Sequence, residues 1–110
     1  MPNFNTALGL EPGDEPGTVF LDATAAHEVA PGTIHFAVLT TLAEVAAASA
    51  VGAAVVPASV QVNLLSRAEP GRLTGRGRVL KRGRRLAVAE GEVEQNGQLV
   101  AKAVVTFALL

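Results

Sequence analysis

The strongest constraint in this sequence is an uninterrupted stretch at residues 35–51 that is rich in alanine and leucine and contains neither glycine nor proline. Residues of these types favour an α-helix, which at 1.5 Å per residue would be roughly 25 Å long. Apolar residues occupy every face of this stretch, whereas a surface helix keeps a polar stripe. The stretch therefore predicts a helix that is wrapped by a sheet on most sides, or covered by a sheet on one side and a partner on another.

The same region must be tested as a membrane span, because residues 36–57 approach the length that crosses a bilayer. Polar residues, a carboxylate and a glycine interrupt the run, and it lacks flanking basic residues and aromatic belts. We therefore expect a buried helix in a soluble protein, with no membrane partner.

Most of the remaining chain alternates apolar and polar residues, which is typical of strands with one face on a core. Predicted strands cover residues 18–22, 58–65, 72–81, 85–94 and 99–109. The Asn96-Gly97 pair predicts a hairpin, because a type I′ turn needs two positive φ angles. Gly75 and Gly77 predict bends or bulges within a strand.

One long helix and an antiparallel meander predict an α+β fold, and a long buried helix held in a curved antiparallel sheet of about five strands is the hotdog arrangement. Three prolines and three glycines predict an irregular arm at residues 1–17. Residues 18–110 then form a single domain.

Composition excludes several classes of site and partner. The chain has no cysteine, so a disulfide framework, a thiolate zinc site and a cysteine nucleophile are ruled out, and we expect no metal. A net charge of -1 and only four aromatic residues argue against nucleic acid as a partner. The amino terminus does not resemble a secretory signal, so we expect a cytoplasmic protein.

Glu44 is the only charged residue inside the apolar helix. A buried carboxylate is costly unless it is paired or its pKa is raised, so its position asks for a functional explanation. The alternative is that Glu44 reaches solvent at a helix edge or pairs with an arginine such as Arg76 or Arg78.

The start of the helix is the second candidate feature. Free N–H groups in a first turn, with the positive end of the helix dipole, suit a developing oxyanion. His35 lies there as a candidate for proton transfer, although a histidine at such a position also serves as a cap or packs against its neighbours.

Residues 35–44, His-Phe-Ala-Val-Leu-Thr-Thr-Leu-Ala-Glu, resemble the hotdog acyl-CoA thioesterases related to phenylacetic acid degradation. That family has His-Gly-Gly, then Leu-Ala, and an acidic residue nine positions after the histidine. The likeness extends over residues 18–109 and includes the segments 59–64, 71–73 and 79–87. The family's paired glycines are Phe36 and Ala37 here, and its amide-bearing residue is Val29.

The resemblance implies roles for individual residues. Glu44 would be the nucleophile or general base, the Phe36 N–H would polarise the thioester carbonyl, and Ser59 would assist water or product near Glu44. Ala37 and Asn63 would contribute to substrate binding. No cofactor is implied, because coenzyme A is part of the substrate.

The helix geometry itself implies an oligomer if both groups act on one thioester. His35 and Glu44 are nine residues apart, hence roughly 13.5 Å along the axis. Catalysis brings both groups within about 3–3.5 Å of one carbonyl region. The Phe36 amide of one subunit must therefore meet Glu44 of another, across a two-fold axis. We expect a homo-oligomer, either a dimer or a tetramer that is a dimer of dimers.

A cluster of basic residues surrounds Gly83 at a predicted strand turn: Lys81, Arg82, Arg84 and Arg85. Such a turn can hold the phosphates of coenzyme A, and the resemblance points to the same place. The alternative is a solvated hairpin whose charges keep a sheet edge soluble.

The sequence thus predicts an acyl-CoA thioesterase, with a non-catalytic acyl-CoA or lipid-binding hotdog module as the main alternative. A hotdog hydratase or dehydratase would need a poised Asp and His pair, for which Asp22 and His27 are not suitably spaced. A purely structural oligomer would leave Glu44 without an explanation.

Overall fold

A computed structural model describes residues 3–110 as two helices, eight short or long strands and a single 3₁₀ turn. The elements are α1 (Phe4–Leu8), β1 (Glu11–Pro12), β2 (Thr18–Ala23), the 3₁₀ turn (Ala25–His27), β3 (Glu28–Ala30), β4 (Thr33–Ile34), α2 (Phe36–Val51), β5 (Val55–Leu64), β6 (Gly71–Arg82), β7 (Leu86–Gln95) and β8 (Gln98–Leu109). The predicted long helix and the predicted strands are confirmed, with ends that differ by at most three residues.

The main sheet has six strands in the order β1-β2-β6-β7-β8-β5, and all neighbouring pairs are antiparallel. The sequence predicted about five strands, and the sixth is the two-residue β1. The turn between β7 and β8 has positive φ at Asn96 (52°) and Gly97 (78°), as the type I′ hairpin requires. The long helix α2 packs on this sheet, which confirms the predicted α+β hotdog fold.

The amino-terminal segment is more regular than its prolines and glycines predicted. It contains α1, which is capped by the Asn3 side chain, and β1, which pairs with β2. The Pro31-Gly32 turn joins β3 to β4 in a second, two-stranded sheet just before α2. The prediction identified that turn but not the two short strands beside it.

Glycines let α2 lie unusually close to the centre of the sheet. A side chain at Gly91 would meet the carbonyl oxygen of Ala43, and one at Gly77 would meet that of Ala46. The predicted bulge at Gly75 and Gly77 was therefore wrong, because the strands pair regularly there and these positions serve close packing. The bulge in β6 lies between Val79 and Lys81 instead.

The sheet covers only one side of α2. Buried residues of the helix face β6, β7 and β8: Val38, Leu39, Leu42, Ala43, Ala46, Ala47 and Val51. The opposite side carries Ala37, Thr40, Thr41, Glu44 and Ala48, which are half-buried or exposed. Two arrangements were predicted for the helix: a sheet on most sides, or a sheet on one side and a partner on another. A single chain provides the sheet of the second arrangement. Within residues 3–110, no helix is long and apolar enough to cross a membrane.

Candidate active site

Glu44 lies in the middle of α2, on the side that the sheet leaves uncovered. Its side chain is half-buried, and this burial raises the pKa of its carboxyl group above the usual value of 4.5. Desolvation disfavours the charged form, so the carboxylate is more basic than a solvated glutamate. A carboxylate with a raised pKa is suited to act as a general base or nucleophile near neutral pH.

The arginines that could have neutralised Glu44 bind other carboxylates. Arg76 pairs with Glu94 at 3.0 Å, and Arg78 donates to Glu90 at 2.6 and 3.0 Å. None of the ion pairs formed among residues 3–110 includes Glu44. The alternative in which Glu44 serves as the partner of Arg76 or Arg78 is therefore wrong.

The first turn of α2 offers one free backbone donor. The Nδ1 atom of His35 accepts from the Ala37 N–H at 2.9 Å, and the Val38 N–H donates to the His35 carbonyl at 3.0 Å. Among the contacts of residues 3–110, the Phe36 N–H has no such acceptor. The capping arrangement thus leaves this N–H at the positive end of the helix, available for an anion.

His35 is occupied as the cap of α2. Because the Nδ1 atom of His35 accepts a hydrogen bond, it carries no proton that it could donate to a substrate. The ring also stacks on Phe36, with centroids 4.7 Å apart. The Phe36 ring itself is 58% exposed beside the free N–H. The structure therefore favours the capping alternative for the His35 side chain.

The structure does not bring Ser59 beside Glu44 within one chain. Ser59 pairs with Thr106, which lies between the fully buried Val105 and Phe107 and so points to the sheet face away from α2. A bulge between Pro57 and Ser59 adds one residue and reverses the alternation of β5. Without this bulge, Ser59 would share the helix-facing side with Pro57.

Asn63 is also separated from the other predicted binding residues. It pairs with Lys102 on the outer face of the sheet, and Lys102 pairs with Glu92. Glu92 lies six residues along β7 from Leu86, where the basic hairpin begins, which is roughly 20 Å of strand. Asn63 and the basic hairpin therefore do not form one site in a single chain.

The basic residues do cluster at the hairpin between β6 and β7. A groove of about 390 Å³ lies there, bounded by Lys81, Arg84 and Arg85 and floored by Leu86 and Val88. All three cationic side chains are exposed, and none takes part in an ion pair among residues 3–110. The hairpin thus presents free positive charge beside an apolar groove.

Arg82 differs from its three basic neighbours. Its Nη1 atom donates to the Val51 carbonyl oxygen at 2.7 Å, in a partly buried position. A cation at a helix carboxyl terminus satisfies a free carbonyl and complements the helix dipole. Arg82 thus fastens the hairpin to the end of α2, and its role in phosphate binding stays a prediction.

Two structural features were not found from the sequence, and the first of them positions Glu44. Gly91 holds β7 against the Ala43 carbonyl, one residue before Glu44, and its signal was only a glycine in a predicted strand. Glu90 is 8% exposed, and hydrogen bonds from Arg78 lower the pKa of its carboxyl group. The cross-strand pairing of Arg78 with Glu90 needed a register that alternation alone does not give.

Comparison with known proteins identifies the family and the fold. The family model of the acyl-CoA thioesterase N-terminal domain matches residues 24–108. A single-residue mutant of the phenylacetic acid degradation protein PaaI from Thermus thermophilus is 31% identical, with a TM-score of 0.86 over 97% of this chain and 98% of that one. No curated protein matches the sequence.

Two further solved structures extend the likeness. A phenylacetic acid degradation-related protein from Ralstonia eutropha is 28% identical, with a TM-score of 0.84 over 99% of this chain and 91% of that one. PaaI of E. coli, at 24% identity and a TM-score of 0.86 over 96% and 83% of the two chains, shows the shared fold. The chain thus belongs to the acyl-CoA thioesterase family: it is a hotdog-fold acyl-CoA thioesterase related to the phenylacetic acid degradation thioesterases.

Proposed function

We propose that Glu44 is the nucleophile or general base that hydrolyses an acyl- or aryl-acyl-CoA, and that the Phe36 N–H of a partner subunit stabilises the oxyanion. In this reaction Glu44 attacks the thioester carbonyl or takes a proton from water. In the first route the CoA thiolate leaves as a mixed anhydride forms on Glu44, and water then hydrolyses this anhydride to the free acid. In the second route the activated water adds to the carbonyl carbon, and the C–S bond of the resulting intermediate breaks to give the free acid and the CoA thiolate. In both routes the carbonyl oxygen gains negative charge, and the thiolate takes up a proton as coenzyme A leaves. The single observation that carries the proposal is that Glu44 is half-buried, is the one charged residue of α2, and forms no ion pair among residues 3–110.

The two groups suit complementary steps of that reaction. The raised pKa of Glu44 makes its carboxylate a stronger base than a solvated one. The free Phe36 N–H lies at the amino terminus of α2, where a helix dipole favours negative charge. Because His35 is the helix cap, we assign it the positioning of this turn rather than proton transfer.

The edge strand β5 supports the assembly that this reaction needs. Since β5 ends the sheet order, one side of it lacks a neighbouring strand in a single chain. It exposes the large apolar side chains of Val56, Val60 and Leu64, which is a liability for a strand that stays unpaired. Antiparallel pairing of two β5 strands across a two-fold axis would cover this edge and set two α2 helices side by side.

Coenzyme A fits the free charge of the β6–β7 hairpin. Lys81, Arg84 and Arg85 supply three cations without carboxylate partners among residues 3–110, and guanidinium groups bind phosphate bidentately. We propose no cofactor besides the coenzyme A of the substrate. The cytoplasmic location and the tetramer stay predictions.

The test is thiol release from a panel of short, medium, long and aryl acyl-CoAs by the native protein and by Glu44→Gln. A positioned base contributes about 10²–10⁴-fold, so Glu44→Gln should lose at least about a hundredfold in kcat. Glu92→Gln is the matched control, because Glu92 is half-buried on the outer sheet face and forms no ion pair among residues 3–110.

Retention of turnover in Glu44→Gln would refute the catalytic role. Binding of acyl-CoA without turnover by the native protein would identify the non-catalytic acyl-binding module instead.

A further inference from the structure

A second cleft lies between α2 and the amino-terminal segment of the chain, on the side of the helix away from β5. It measures about 240 Å³, lies between the segment 3–12 and the helix, and is open to solvent. Leu10, Pro12, Val19 and Val45 form its apolar wall, and the rest of its lining is polar and comes from the segment 3–6 and Ser49. No residue of this cleft is used by the chemistry proposed above.

The cleft is held open by contacts on several sides. β1 pairs with β2 through Pro12 and Val19, and the Leu8 carbonyl accepts from His27 Nε2 at 2.8 Å. The Oγ atom of Ser49 accepts from the Gly17 N–H at 3.0 Å. The first two contacts fix the segment 3–12 and the third fixes the Ser49 side chain, so the space exists before any ligand arrives.

The position of the cleft relative to Glu44 follows from helix geometry. At about 100° per residue, Val45 lies about 100° around α2 from Glu44, and Ser49 about 140° in the same direction. Thr41 and Ala48 lie between Glu44 and Val45 around the helix, at about 60° and 40° from Glu44. Their side chains are small and project only a short distance from the helix. Between Glu44 and the cleft, this side of α2 therefore presents two small side chains and no large one.

The two sides of α2 face opposite edges of the sheet. Val45 and Ser49 face the segment that pairs at the β1–β2 edge, whereas β5 is the other edge. A partner that pairs with β5 would approach from the far side and leave the cleft to this chain. With a helix radius of about 5–6 Å, the path from Glu44 to Val45 is about 10 Å long. An acetyl group is too short for that path, and a medium-length acyl chain covers it.

We infer that the cleft between residues 3–12 and α2 receives the far end of a medium-chain acyl group whose thioester carbonyl lies at Glu44. The inference rests on the proposed function and adds the substrate class to it. Burial of each methylene in an apolar wall should raise kcat/KM by about fourfold. Chains too short to pass Ala48 gain nothing from the cleft, and its volume of about 240 Å³ limits how much of a longer chain it can cover.

The test compares kcat/KM for acetyl-CoA and octanoyl-CoA in the native protein and in Val45→Phe, which fills the cleft. Val45→Phe should lower the octanoyl-CoA value by about tenfold or more and leave acetyl-CoA within about twofold. Val104→Phe is the matched control, because Val104 is exposed on the outer face of the sheet, and it should change neither value. Equal losses for both substrates in Val45→Phe, or no loss for octanoyl-CoA, would overturn the inference.

Two further measurements cover failure of the variant or of the reaction. If Val45→Phe does not fold, Val45→Ala enlarges the cleft and should raise the decanoyl-CoA to octanoyl-CoA ratio of kcat/KM; an unchanged ratio would overturn the inference. If the native protein hydrolyses no thioester, the proposed function fails. Calorimetric binding of octyl-CoA thioether and of coenzyme A then tests the cleft. The octyl compound should bind more tightly to the native protein and lose that advantage in Val45→Phe, and equal binding would overturn the inference.

Discussion

Removal of the Phe36 N–H should abolish most of the catalytic rate without unfolding the helix. Phe36→Pro deletes this donor at the first position of α2, where proline is well tolerated because its φ angle suits the first turn. The preceding residue, His35, already has φ -62° and ψ 138°, which is the extended conformation that proline favours before it. The variant should therefore keep the fold.

The size of the effect follows from the lack of a substitute donor. The Ala37 and Val38 N–H groups both bond to His35, so neither can take over the oxyanion. Loss of one oxyanion donor costs about 10²–10³-fold in kcat, or roughly 2.7–4 kcal/mol. Steady-state thiol release with octanoyl-CoA measures this loss directly.

Phe36→Ala separates the N–H from the ring. It keeps the backbone donor and removes an aromatic side chain that is 58% exposed and stacked on His35. We expect Phe36→Ala to retain kcat within about tenfold of the native value, because the donor is intact. Equal losses in Phe36→Pro and Phe36→Ala, with melting temperatures like that of the native protein, would refute the oxyanion role of the N–H.

Three further predictions concern packing, charge and pH. Gly91→Ala should destabilise the fold by about 1–3 kcal/mol, seen as a lower melting temperature, because the added Cβ overlaps the backbone of α2. Arg82→Met should lower the melting temperature, because it removes a charged hydrogen bond worth about 1.5 kcal/mol or more, and it should leave the KM for acyl-CoA unchanged. Arg84→Gln should instead raise the KM for acyl-CoA and have little effect on the melting temperature. Because burial raises the pKa of Glu44, the acid limb of the kcat/KM profile should have its midpoint above pH 4.5. The raised pKa also means that the folded state disfavours the charged carboxylate, so the native protein should lose stability relative to Glu44→Gln as the pH rises through that pKa. A midpoint of the acid limb at or below pH 4.5 would contradict this reading. So would a native protein that gains stability relative to Glu44→Gln as the pH rises.

The helix, the strands and the hairpin could be predicted because local chemistry determines them. The composition of residues 35–51 is sufficient to predict α2, and the two positive φ angles of the Asn96-Gly97 turn are a local requirement of that pair. Glu44 could be found for the same reason, since one charge in an apolar helix is visible without any knowledge of its neighbours.

Features that depend on tertiary register could not be predicted. The face on which Ser59 lies is set by a one-residue bulge, and alternation gives no sign of that residue. The contact between Arg82 and Val51 joins positions 31 residues apart, so charge clustering alone placed Arg82 with its neighbours. The role of Gly91 depends on the approach of a helix carbonyl, which only the packed fold brings to it.

The claim that each site is shared by two subunits is tested most directly by complementation. Glu44→Gln and Phe36→Pro chains, carrying different tags and expressed together, form mixed dimers that contain one site with both Glu44 and the Phe36 N–H. If pairing is random, half of the dimers are mixed and half of their sites are intact, so the mixture should recover about a quarter of the native rate. Each variant alone should stay nearly inactive. A mixture that is no more active than the separate variants, although mixed dimers are isolated by sequential purification on both tags, would contradict a site shared between subunits.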